Sequence, residues 1–576
     1  MKHASLIGCL AAVALFAAAC GSDDDPPGGS GAAGSGAAPS SSSSASGGSG
    51  GAGASGGTGG AGADGGTGGG SGGEAPCGTP AECAEAWEQA TADKLATLAG
   101  GPEDALRAFL KEVPKGGDLH NHLSGAVYAE TYLAWAKDDG DCINPNTFAA
   151  VFQNQCSGSN QPVPRMGGFY DDIVAAWSME GFVPGAESGH DHFFSTFGKF
   201  GAVAGAHRDD TLADVAARAA DENQLYVETM FNLGKNVGDL AASVWSGTLT
   251  AADIPAFYAS LKASPTFAAK LANDVQVVET ARDAYQTALG CDDVSPAPGC
   301  NVEMRFIAQV SRTGANDSIF GQLVSAFEMA KDTKWLVGAN LSSPEDEPAS
   351  LNNYALHMAM LDFLHEQYTQ SQASPLQITL HAGELTEEYL PPGFPDATTF
   401  HIREAVHTAH ARRIGHGLDI ASETDPQGLM ADMADLDVLV EVCLSSNVQI
   451  LEVSGAAHPL ADYIAAGVPV ALATDDQGVS RSSMAGEYLR AVLDQQIDYH
   501  QLKAMARNSL QHAFLPGDAL FESVAGAQAV AACAPTDTMG LGQSPSDECQ
   551  AFLDGSERAR LQWQLEARFR KFESKQ

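Results

Sequence analysis

Positive charge is scarce in this chain: 576 residues carry 31 Lys and Arg against 72 Asp and Glu, a formal net charge of −41. Such a surface repels polynucleotides and anionic lipid headgroups, so nucleic acid is excluded as a partner and the surplus carboxylates read as a solvated surface. No segment repeats along the chain, which excludes a solenoid or propeller array. The 11 cysteines never fall in zinc-ribbon spacing, which excludes a closed structural zinc module.

The N-terminus has little beyond small residues. Lys2 and His3, the apolar run Leu6 to Phe16 and the small residues before Cys20 have the order of a signal peptide over 1–20. The end of that segment resembles a bacterial lipobox, in which Cys20 is lipidated and becomes the new N-terminus. An exported cell-envelope lipoprotein is the expectation, with membrane contact through that anchor, or a secreted protein if Cys20 stays free. Residues 21–76 are nearly all Gly, Ala and Ser, a composition that cannot offset its ordering entropy and predicts a disordered tether with a reach of roughly 40 Å. The remaining 77–576 form the folded domain.

Eight of the cysteines sit in near-neighbour couples: Cys77 with Cys83, Cys142 with Cys156, Cys291 with Cys300, and Cys533 with Cys549. Each couple lies in a Gly/Pro/Ser-rich loop or terminal segment, where a short disulfide substitutes for a core in an oxidising compartment. Cys443, inside the apolar run Val438 to Leu444, is expected as a buried small hydrophobe.

Past the tether, strand-type runs alternate with helical patterns. The strand candidates are Gly117–His122, Leu225–Phe231, Val302–Val310, Trp335–Leu341, Leu376–His381, Ala411–His416, Asp437–Leu444 and Val468–Asp475. Eight is the number an α/β (βα)8 barrel needs. Helical patterns cover Ile402–Ala411 and Glu487–Asp494, and Glu557–Lys571 reads as a charged amphipathic helix. The stretches 127–190 and about 235–300 exceed an ordinary βα connection and are expected as insertions, the first an elaborated lid.

Four of these runs end in polar clusters: His120-Asn121-His122, His381-Ala382-Gly383-Glu384, Gly415-His416-Gly417 and Thr474-Asp475-Asp476. Residues i and i+2 of a strand point the same way, so His120 and His122 offer two imidazoles on one face. Barrel enzymes place their chemistry at strand C-termini, where His381 and Asp475 also stand. The set reads as one hydrolytic metal site.

The phrases PKGGDLHNHLSGA at 114–126, TLHAGE at 379–384, RIGHG at 413–417 and ATDD at 473–476 resemble, in content and order, the adenosine deaminase family of metal-dependent amidohydrolases. The resemblance extends weakly over about 90–515, and HDHFFSTF at 190–197 looks like the secreted, growth-factor-type branch. It implies one divalent metal, zinc by expectation, on His120, His122, His381 and Asp475, with iron, cobalt and manganese compatible with the same donors. Such a metal makes a water acidic enough to react at neutral pH. The resemblance makes Glu384 the proton shuttle to the purine N1, which requires a carboxyl protonated when substrate binds. It makes His416 the residue that orients the water, its flanking glycines letting backbone approach a ligand, and Asp476 an acceptor near the purine N7 or the water. The implied reaction is hydrolytic deamination of adenosine or a related 6-aminopurine nucleoside, with release of ammonia.

The substrate end departs from the family. Ser124 stands where other members have an Asp that reaches the ribose, and Asn340-Leu341-Ser342-Ser343 replaces an Asp-Leu-x-Gly phrase, putting Ser343 at the Gly that touches the purine. Phe194, Phe197 and Phe200 are expected to wall the base. His190 and His192 are a rival HxH metal pair. Two alternatives stay open on the same residues: an amidohydrolase of another modified nucleoside, free aminopurine or other C–N bond, and a non-catalytic nucleoside-binding surface protein.

Overall fold

Eight parallel strands in sequence order build the molecule's centre: β1 Gly117–His122, β2 Tyr226–Asn232, β3 Glu303–Ser311, β4 Leu336–Ser342, β5 Gln377–Ala382, β6 Arg413–His416, β7 Leu439–Val442 and β8 Val470–Leu472. The computed structural model describes residues 79–368, 374–534 and 544–576. The expected signal peptide, Cys20, the tether and Cys77 lie outside them. Each strand pairs with the next, and nearly every strand residue is buried, the signature of parallel strands covered on both faces. The ring closes between β1 and the chain after β8. Asn121 bridges Asp475 in parallel, the Asp475 N–H donates to the His120 carbonyl at 2.8 Å, and the His122 N–H donates to the Asp475 carbonyl at 3.1 Å. The seam of the (βα)8 barrel therefore runs through three residues of the expected site.

All eight expected strands are present, with shifted ends. The Val468–Asp475 run keeps continuous strand geometry only over Val470–Leu472, with Asp475 rejoining the sheet as an isolated bridge at a left-handed φ of 56°. Asp437–Leu444 shortens to Leu439–Val442, and Cys443 becomes the N-cap of helix Leu444–Leu451.

Residues 127–190 hold helix Ala129–Asp138, a small antiparallel sheet tied by the Cys142–Cys156 disulfide, and helix Gly168–Trp177. Helix Gly189–Ala206 follows and packs on Leu444–Leu451 so tightly that a Cβ on Gly189 would lie 1.9 Å from the Gln449 carbonyl oxygen. The second insertion is helical (Lys235–Val244, Ile254–Lys262, Phe267–Ala288) and ends at the Cys291–Cys300 disulfide. The terminal helix Glu557–Glu573 is more than a solvated amphipath. Leu561, Leu565 and Phe569 join the barrel core, and buried Glu566 forks onto Arg507 at 2.7 and 2.9 Å. Cys533–Cys549 completes the described disulfides, and Cys443 is a buried free thiol as expected.

Candidate active site

The site begins with the alternation of β1. His120 and His122 face the barrel mouth, while Asn121 between them turns away, accepting from Thr229 Oγ1 at 2.8 Å and donating to Thr474 Oγ1 at 3.2 Å. His381 at the end of β5 brings its Nε2 to 3.1 Å from His120 Nε2 and 3.0 Å from His122 Nε2. Asp475 Oδ1 stands 3.7 and 3.4 Å from the same two nitrogens. Four donors from β1, β5 and the end of β8 converge on one buried point.

The second nitrogen of each ring explains what that point is built for. His120 Nδ1 lies 2.7 Å from Glu441 Oε2, His122 Nδ1 3.2 Å from Gln309 Oε1 and His381 Nδ1 2.7 Å from Asn340 Oδ1. Each partner is an acceptor, so each Nδ1 carries the proton and each Nε2 presents a lone pair. Three lone pairs and a carboxylate facing one another at these distances repel, unless a cation lies between them. Tetrahedral coordination at about 2.0–2.1 Å puts donor atoms a little over 3 Å apart, so the residues present fit a zinc-sized divalent ion, and the outer hydrogen bonds are those that orient metal-binding imidazoles.

Electrostatics separates the acids. Burial would raise Asp475, but His416, His122 and His120 outweigh it and hold the carboxyl below its usual range. Glu384 and Asp476 go the other way: burial first, then the Asp475 charge, push both well above the carboxylate range. One acid is thus pushed down and its two neighbours up, and each of those two has an oxygen that finds no hydrogen-bond partner (Glu384 Oε1, Asp476 Oδ1). Burial also lowers His381, His122 and His416, the last to about 4. For His120 the Glu441 carboxylate outweighs burial and raises it.

Glu384 follows the left-handed Gly383 (φ 81°) on the turn leaving β5. Buried Glu345 holds that turn, accepting from the Gly383 and Glu384 N–H groups at 3.2 Å each and pairing with His401 Nδ1 at 2.9 Å. Asp476 is seated against Gly125, where a Cβ would lie 1.7 Å from its Oδ1. The glycines flanking His416 serve neighbouring side chains where approach to a ligand was expected. A Cβ on Gly415 would meet His120 Cε1 at 2.6 Å, and one on Gly417 the Tyr463 hydroxyl at 2.7 Å.

The remaining candidates divide. His190 and His192 turn to different sides of their helix, as i and i+2 must: His190 Nε2 reaches Asp346 at 3.3 Å, whereas His192 lies against Glu187 and the Ala175 and Ser178 carbonyls. They form no metal pair. Phe194 and Phe197 are half-buried, but Phe200 stacks on Tyr132 at 5.2 Å inside the core of the insertion and cannot wall a substrate. Ser124 is exposed, only its carbonyl being engaged, by the Tyr132 hydroxyl. Ser343 adopts a φ of 85° and shares a 2.8 Å hydrogen bond with Ser311.

Glu441, Gln309, Glu345, Asn447 and His458 were not singled out by the sequence. Glu441 had a signal, a lone charge inside the apolar run Val438–Leu444. Asn340 enters the sequence reading only as the first residue of the phrase ending at Ser343, while its side chain sets the His381 proton.

The family profile described as adenosine deaminase matches residues 237–524, half of the chain. An adenosine deaminase of Yersinia pseudotuberculosis serotype IB (strain PB1/+) is 28% identical over 262 residues, 45% of this chain and 67% of that protein. An adenine deaminase of Rhizobium leguminosarum bv. trifolii is 26% identical over 235 residues, 40% of this chain and 64% of that protein. Among solved structures, an adenine deaminase from Arthrobacter aurescens superposes with a TM-score of 0.42 at 17% identity, over 70% of this chain and 94% of that one. The chain belongs to the adenosine deaminase family and is a hydrolytic deaminase.

Proposed function

We propose that this protein carries out metal-dependent hydrolytic deamination of adenosine or a closely related 6-aminopurine nucleoside, giving the 6-oxo product and ammonia. The observation that carries the proposal is the convergence of three Nε2 atoms and the Asp475 carboxyl on one buried point, beside a Glu384 carboxyl that burial and the Asp475 charge push well above the carboxylate range. A divalent cation on His120, His122, His381 and Asp475, zinc by the donor set, would supply a water acidic enough to react at neutral pH. Glu384 gives its proton to ring N1, which leaves C6 short of electrons and open to addition. Asp476, seated on Gly125 and pushed the same way, donates to the purine N7, which can only accept, so its role there is the reverse of the acceptor expected from the sequence. His416 steadies the oxygen that adds to C6, one proton of the water restores Glu384 and the other passes to the C6 amine, and the C6–N bond breaks to release ammonia.

Ser124 and Ser343 favour a second reading, another aminopurine or modified nucleoside, since neither supplies the contact that the family's own residue supplies there. The same proposal places the enzyme outside the cytoplasm, tethered through a lipidated Cys20. The test is ammonia release by the purified chain on adenosine, 2′-deoxyadenosine, adenine and AMP, with metal content measured on the same sample. Turnover of adenosine with about one metal per chain supports the first reading, and a full metal site inactive on all four overturns it in favour of the second.

A further inference from the structure

Behind His416 runs a hydrogen-bonded chain that the reaction scheme does not use. The Leu460 backbone N–H donates to His458 Nδ1 at 3.1 Å, His458 Nε2 lies 3.1 Å from Asn447 Oδ1, and Asn447 Nδ2 lies 3.1 Å from His416 Nδ1. Every side chain in it is buried: His458 is 3% exposed, Asn447 0% and His416 1%.

One end of this chain has no freedom. A backbone N–H can only donate, so His458 Nδ1 must accept, and the ring's single proton sits on Nε2. That proton needs an acceptor, which orients the Asn447 amide with Oδ1 towards His458 and its NH2 towards His416. Rotating the amide would set two donors against each other at His458. The NH2 then donates to His416 Nδ1, and the His416 proton is left on Nε2. That nitrogen is buried without any hydrogen-bond partner, and a ring nitrogen of His416 lies within 4.8 Å of ligand atoms of His120, His381 and Asp475. The other neighbour of Nδ1, Glu384 Oε1, is 3.7 Å away and too far to compete.

We infer that the Leu460 N–H fixes the tautomer of His416 through His458 and Asn447, so that His416 meets the reacting oxygen as an Nε2–H donor and cannot serve as the base that takes the water's proton. Asn447 and His458 are positioning residues. The inference rests on the deaminase reading for the reaction it serves, but the tautomer is a property of the protein alone.

Two measurements test it. In holoenzyme labelled with 15N-histidine, the nitrogen shifts of His416 should show a protonated Nε2 and a bare Nδ1, whether or not adenosine is turned over; a protonated Nδ1 overturns the inference. Asn447→Asp keeps the shape but accepts from both sides, pulling the His416 proton to Nδ1. Misplaced tautomers and lost transition-state donors each cost orders of magnitude, so kcat should fall roughly 100- to 10,000-fold with KM and metal content little changed. His458→Gln still donates to Asn447 and should lose no more than a few-fold. Asn447→Asp with wild-type kcat, or with its metal lost, overturns the inference, as does a His458→Gln variant as impaired as Asn447→Asp.

Discussion

Glu441 is the side chain through which the affinity of the proposed metal site can be perturbed without touching a proposed ligand. Its neighbours are all donors: His120 Nδ1 at 2.7 Å, Thr379 Oγ1 at 2.9 Å and Arg413 Nε at 2.5 Å. Arg413 in turn pairs with Glu228, and all three charged groups are fully buried. Burial alone would raise the Glu441 carboxyl, but Arg413 and His120 hold it below the usual range. Glu441→Gln conserves the shape, yet its NH2 must be set against one of those donors. Against His120, it drives the ring proton to Nε2 and removes a ligand lone pair; against Arg413, it leaves a buried guanidinium short of one partner. Loss of an outer hydrogen bond to a metal ligand typically costs about 10- to 100-fold in affinity, which is about 1.4–2.7 kcal/mol. Breaking a buried ion pair costs about 3–5 kcal/mol of stability. Competitive zinc titration of the apoprotein against a chelator reads the first cost, and denaturant unfolding of the apoprotein reads the second. Glu441→Gln with wild-type zinc affinity and stability would refute the claim that Glu441 sets the His120 tautomer.

Other expectations follow from the same geometry. Glu384→Gln should abolish ammonia release with metal content unchanged; loss of the metal would make Glu384 a ligand. Asp475→Ala should lose the metal and Asp476→Ala should keep it, read by metal analysis after dialysis. Gly125→Ala places a methyl 1.7 Å from Asp476 Oδ1, and displacing that carboxyl by about 1 Å should cut kcat roughly 100-fold, with circular dichroism little changed. His512 is held down to about 3 by burial and by Arg413, Arg412 and Arg558, against an ordinary value of 6.5. With the folded pKa below the unfolded one, stability is lost as pH falls from 6.5 towards 3. Between pH 7.5 and 5.5 the wild type should lose about 1.4 kcal/mol more than His512→Gln; equal losses in parallel unfolding titrations would contradict this. Thiol titration of the denatured, unreduced mature protein should find Cys443 alone.

The proposed ligand set was legible because it is written in strand ends. An HxH pair, an apolar run ending in His381 and another ending in Asp475 announce themselves through alternation and through the abrupt change from apolar to polar residues. The eight strands were legible for the same reason, since buried parallel strands leave continuous apolar runs. Their ends were not, because the reacting residues sit where the backbone leaves strand geometry. His416 (φ 66°), Asp475 (φ 56°) and Ser343 (φ 85°) all have left-handed backbones at the barrel mouth, and nothing in their side chains marks that turn. Phe200 was misplaced because aromatic spacing along a helix gives the phase of a face without saying whether barrel or insertion covers it. What stayed hidden altogether was proton placement. Asn340, Gln309, Glu441 and Asn447 lie 31 to 321 residues from the histidines they orient, and apart from Glu441, a lone charge in an apolar run, each is an ordinary polar residue until the barrel closes. The metal ligands alone leave each ring free to carry its proton on either nitrogen, and only the partners behind them turn four imidazoles into three lone pairs and one donor. The chemistry of the site therefore depends as much on those unremarked amides and carboxylates as on the motifs that reveal it.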